Sequence, residues 1–185
     1  MNKVRHWLLA VSLILASAFG PLSQRAEAAS AAELNADGRA ALSRLYAQSP
    51  KAAQFGQKAY AILVFPKIVK AGLVIGGQGG EGVLLMRGKP AGYYKITAVS
   101  YGLQAGGQSF SYALFLMNDK ALGYLSRHDG WSIGSGPSVV VIDQGKAMSN
   151  TTTTLKKDVI AFPFGQKGLM AGLGLEGSKI KPIKK

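Results

Sequence analysis

Three copies of one glycine pattern constrain this chain more than any other feature. They read Gly72-Leu73-Val74-Ile75-Gly76-Gly77-Gln78, Gly102-Leu103-Gln104-Ala105-Gly106-Gly107-Gln108 and Gly168-Leu169-Met170-Ala171-Gly172-Leu173-Gly174. Each adjoins a strand-like apolar run. Residues i, i+2 and i+4 of a strand share a face, so each copy sets its glycines against one side and Leu, Ile or Ala against the other. Glycine inside a strand marks a bulge, a bend or a close backbone approach. Three such bends predict a sheet that curls tightly. Gly72, Gly76, Gly77, Gly102, Gly106, Gly107, Gly168 and Gly172 are therefore expected to be structural. The pattern contains no acid, base or nucleophile.

The N-terminus reads as an export signal. Lys3, Arg5 and His6 precede an apolar stretch from Trp7 to Ala18, and Ala26-Glu27-Ala28 fits a small-x-small cleavage site. The stretch falls short of the roughly 20 residues that span a bilayer. The expected organisation is a signal peptide over 1–28 and a single domain over 29–185, exported to a periplasm. Without residues 1–28 the net charge falls from +13 to about +11. That excess suits an anionic partner, and export favours anionic lipid over nucleic acid. Cysteine is absent, which excludes disulfides, thiolate metal sites and a cysteine nucleophile.

Ser30-Ala31-Ala32-Glu33 forms a capping box ahead of Leu34, Ala41, Leu42, Leu45 and Tyr46 at helical spacing. Gly38 weakens that helix. Ser49-Pro50 opens a second helix to about Lys58, and residues 118–126 read as a short third. Strands are expected at 61–65, 72–75, 83–86, 92–98, 111–117, 138–142, 159–162 and 169–175. Several are unbroken apolar runs, so both faces are expected to be buried. The fold class is α+β: N-terminal helices packed on a strongly curled, glycine-bent, mainly antiparallel, barrel-like sheet.

Two motifs mimic catalytic signatures. Gly77-Gln78-Gly79-Gly80-Glu81-Gly82 matches G-x-G-x-x-G, yet a strand and not a helix follows, so no helix terminus faces a phosphate. Gly130-Trp131-Ser132-Ile133-Gly134 matches G-x-S-x-G, but His128 precedes it and Ser135-Gly136-Pro137 is a turn. The carboxylates have no metal-ligand spacing. No catalytic residue, metal or cofactor is expected; Glu81 and Glu176, in glycine-rich settings, read as structural carboxylates.

The basic residues carry the functional reading. Lys67 and Lys70 flank Ile68-Val69, Lys156 and Lys157 adjoin a threonine run, and Lys179 and Lys181 alternate with Ile180 and Ile183. These six are the candidate lipid-binding positions. In a turn, Lys67 and Lys70 share a side; in a regular strand they point to opposite faces.

The series Phe65-Pro66-Lys67-Ile68-Val69-Lys70-Ala71-Gly72, Gly82-Val83-Leu84-Leu85, Gly92-Tyr93-Tyr94, Gly102-Leu103-Gln104-Ala105-Gly106, Gly130-Trp131, Thr151 to Thr154, Ala161-Phe162 and Leu175-Glu176-Gly177-Ser178-Lys179-Ile180 resembles the SYLF domain. The resemblance covers about Ala52 to Ile183. It implies a lipid-binding module. Eukaryotic members bind phosphoinositides with help from an N-terminal amphipathic segment, and some bind actin. This chain has an export signal and no SH3 or FYVE partner domain, which argues against actin and phosphoinositides. Secreted bacterial members resemble envelope proteins that meet anionic phospholipid. The resulting expectation is a non-enzymatic periplasmic protein, peripheral on a membrane, with a role in envelope maintenance. A small outer-membrane β-barrel and an unrecognised envelope enzyme are the alternatives.

Overall fold

The computed structural model describes residues 29–72, 75–101, 106–142, 157–168 and 177–185. The expected signal peptide, Gly102, Lys156, Gly172 and Glu176 lie outside the described residues.

Local signals set the helices. Helix α1 (Ala31–Gln48) begins at the capping box: the Ser30 hydroxyl accepts from the Glu33 amide at 3.2 Å, and the Glu33 carboxylate accepts from the Ser30 amide at 2.8 Å. Helix α2 (Pro50–Lys58) starts on Pro50, with the Ser49 hydroxyl accepting from the Ala52 amide. Helix α3 (Asp119–Leu125) is capped by Asn118. None of the described helices is long and apolar enough to cross a membrane.

The strands are β1 (Ala61–Gly72), β2 (Ile75–Met86), β3 (Lys89–Tyr101), β4 (Gly106–Leu116), β5 (Trp131–Ser132), β6 (Val139–Val141), β7 (Val159–Gly168) and β8 (Lys179–Ile183). They form one curled sheet in the order β5-β8-β3-β2-β1-β4-β7-β6. Among the described residues only the β6–β7 pair is parallel. The α+β expectation therefore holds.

The glycine copies sit differently from expectation. Of the strand expected at 72–75, Gly72 ends β1 and Ile75 begins β2, while residues 73–74 lie outside the described residues; the second copy likewise ends in β4. Gly72 pairs with Gly76 on one side and Gly106 on the other, and Ala71 pairs with Gly77 and Gly107. Gly168 ends β7 opposite Gln108. The described glycines of the three copies thus gather at one end of the sheet. A bend of another kind lies further in: β1 carries an irregularity at Phe65–Lys67 against both its neighbours.

The sheet buries both faces at its centre. Leu63, Phe65, Ile68, Ile96, Phe110, Tyr112, Leu114, Trp131 and Ile180 pack on the inner face beside α3. Ile62, Val64, Val83, Leu85, Ala113, Phe115, Ile160 and Phe162 pack on the outer face under α1 and α2. Gly38 lets α1 approach the sheet, since a Cβ there would collide with Val83.

Candidate functional site

Helices α1 and α2 cover only part of the outer face. Paired residues of antiparallel strands point to the same side, so the register lays out the remainder row by row. Lys67, Glu81, Lys95 and Lys181 form one row across β1, β2, β3 and β8. The next runs Lys167, Ser109, Val69, Gly79, Thr97, Lys179 across six strands. Gly107, Ala71, Gly77 and Val99 follow, then Ile75. Alternation fixes the direction, because Val83 and Val64 belong to the outer core whereas Ile68, Ile96 and Ile180 belong to the inner one.

Among the described residues, five lysines therefore share these rows with one carboxylate. Glu81 is already engaged: the Lys185 ammonium donates to it at 2.6 Å and to the Ala29 carbonyl at 2.8 Å, with its side chain only 8% exposed. That contact ties the C-terminus to the start of α1 and makes Glu81 the structural carboxylate expected of it. Lys67, Lys95, Lys167 and Lys181 are exposed and Lys179 is half-buried. None of the five forms an ion pair among the described residues.

A groove of about 790 Å³ lies where α1 meets this face. Arg44, Lys67 and Lys167 line it with one carboxylate, Asp37. Ser109, Ser111 and Gln48 add polar groups, and Pro66, Phe110 and Phe164 supply apolar wall. The Ser111 hydroxyl donates to the Pro66 carbonyl at 2.7 Å and so steadies the β1 irregularity that aims Lys67 outward. The arrangement can hold a phosphate-bearing group beside apolar surface by charge and hydrogen bonding.

The six sequence candidates separate. Lys67, Lys179 and Lys181 come together on the open face. Lys70 does not join Lys67: it follows Ile68 by two residues and points inward, in register with Gln78 and Gln108. Lys157 precedes β7 at the opposite end of that strand from Lys167, and Lys156 lies outside the described residues. Sequence reasoning missed Arg44, Lys95 and Lys167. Lys167 immediately precedes the third glycine copy, much as Lys70 precedes the first, and Lys95-Thr97-Val99 alternates with Tyr94-Ile96-Ala98.

Both catalytic look-alikes resolve as structure. The glycines from 77 to 82 lie within β2. Ser132 is exposed and belongs to a two-residue strand, followed by a turn with Ser135. Among the described residues no three His, Asp or Glu side chains gather as a metal site.

Residues 97–185 match the family model described as Ysc84, Las17-binding protein actin regulator. The chain is also similar to Beta cell expansion factor A of Aeromonas veronii, at 30% identity over 176 residues. That match covers 95% of this chain and 64% of the relative, so this chain spans less than two thirds of the relative's length.

Proposed function

We propose that this chain, whose residues 97–185 match the SYLF (Ysc84) family model, is a non-enzymatic member of that family that binds anionic phospholipid through the open face of its sheet. The observation that carries this reading is the lysine set Lys67, Lys95, Lys167, Lys179 and Lys181 on one face; among the described residues the one carboxylate in those strand rows, Glu81, is already held by Lys185. Each Lys or Arg near a charged membrane contributes about 1 kcal/mol, so five acting together are sufficient for peripheral attachment. The groove bounded by Arg44, Lys67 and Lys167 would seat a head-group phosphate.

Export to a periplasm and a part in envelope maintenance belong to the same proposal, supported by the leader-like residues 1–28. The family description names an actin regulator; an exported chain would meet phospholipid and not actin. Vesicle flotation tests the reading. Vesicles with phosphatidylglycerol should carry the protein upward, neutral phosphatidylcholine vesicles should carry less, and salt should weaken the attachment as the screening length shortens. Equal flotation with both lipids, or none with either, contradicts it.

A further inference from the structure

Glycine is used in two ways along β2 and its neighbours. On the inner face it is required: a Cβ on Gly80 would lie 2.5 Å from the Lys67 carbonyl oxygen, and one on Gly82 would lie 2.5 Å from the Phe65 ring. On the open face it is not. A Cβ on Gly79 would meet nothing closer than 3.7 Å, one on Gly77 nothing closer than 3.8 Å, and one on Gly107 nothing within 4 Å. None of these three has a positive φ. Glycine weakens a strand, and among the described residues neither packing nor backbone conformation demands it here. The remaining physical use is close approach of an outside body to the backbone.

The side chains that stand on this floor are apolar. Val69, Ile75 and Val99 are 46%, 66% and 65% exposed. They lie toward the glycine end of the strands, and the lysines lie at their root: Lys167 and Lys179 close the ends of the Val69 row, and Lys67, Lys95 and Lys181 form the row behind it. A second copy of the same face would bring lysine against lysine. An anionic bilayer matches both parts, with ammonium groups at phosphate level and aliphatic groups below, as lysines behave at membrane interfaces.

We propose that the glycine-floored end of the open face enters the bilayer to the level of the acyl chains, with Val69, Ile75 and Val99 as the inserted side chains. This rests on the phospholipid reading above and adds depth of contact to it. The test uses full-length Val99→Trp and Ile75→Trp variants with phosphatidylglycerol vesicles whose acyl chains are brominated. Wild type, which carries Trp7 and the buried Trp131, supplies the background to be subtracted. The introduced indole should shift its emission to the blue and be quenched on vesicle binding. A Val69→Ser/Val99→Ser variant should need roughly tenfold more lipid for half-maximal flotation, the loss expected from two partly buried aliphatic groups. Flotation without blue shift or quenching, and with the serine variant equal to wild type, overturns insertion and leaves surface binding standing. No flotation of wild type overturns both. Blue shift and quenching with neutral and anionic brominated vesicles alike support insertion and overturn the electrostatic reading.

Discussion

Asp158 shows how much one carboxylate organises. It accepts from the Asn118 amide at 2.9 Å and from the Ser138 amide and hydroxyl at 2.8 and 3.1 Å, joining the cap of α3 to the approaches of β6 and β7. Hydrogen bonding from Asn118, then from Ser138, holds its carboxyl below the ordinary value of 3.8. A depressed carboxyl stabilises the fold fully above its unfolded value, and that contribution disappears as pH falls through the folded value. Asp158→Ala should therefore lower stability by about 2 kcal/mol at neutral pH, and the gap to wild type should narrow in acid. Chemical denaturation at pH 7 and near pH 3 checks both. The glycines make a second residue-scale test. Gly80→Ala should cost about 1–3 kcal/mol through overpacking, whereas Gly79→Ala should leave the melting temperature unchanged or raise it. The sequence cannot separate these neighbours, because the distinction depends on which strand lies opposite. For Lys70 it left two readings open, and the strand continuing past Ile68 selects the one in which Lys70 points inward, opposite to Lys67.

At the scale of elements, local chemistry carried most of the information. The Ser30 box, the Ser49-Pro50 start and the Asn118 cap each act within four residues, so the helices were legible. Strand ends were not. The stretch Gly72 to Ile75 looks like a strand because its residues are apolar and flanked by glycine, but Gly72 pairs with Gly76, and its two described ends belong to different strands. At Gly106 the constraint is the backbone: its φ is +148°, a Cβ would meet nothing within 4 Å among the described residues, and φ alone disfavours a side chain. Gly38 inverts the usual rule. Helix propensity says that alanine there gains ~1 kcal/mol, yet a Cβ would strike Val83. Gly38→Ala should destabilise the domain by about 1–2 kcal/mol net once overpacking is included, and thermal unfolding would reveal the sign directly. A rise in melting temperature would mean that α1 can lift from β2 without penalty.

For the whole molecule, the unbroken apolar runs correctly implied burial on both faces. Adjacent residues of β1, such as Ile62 and Leu63, belong to opposite cores. A lipid-spanning barrel instead alternates apolar-out and polar-in, so this central sheet does not follow that pattern. The charge excess was legible too, but its placement was not. Lys67, Lys95, Lys167 and Lys181 are scattered over more than a hundred residues and become one face only through sheet order and register. The most direct measurement compares two triple charge reversals of equal net charge. One is Lys67→Glu/Lys95→Glu/Lys181→Glu on the open face. The other is Lys58→Glu/Lys89→Glu/Lys157→Glu, away from it. Both should remain folded by circular dichroism. With phosphatidylglycerol vesicles, the open-face variant should lose flotation by a factor of 100 or more, on the order of the three per-lysine contributions, while the control should retain most of its binding. Equal loss in the two variants would mean that overall charge, and not this face, attaches the protein to the membrane.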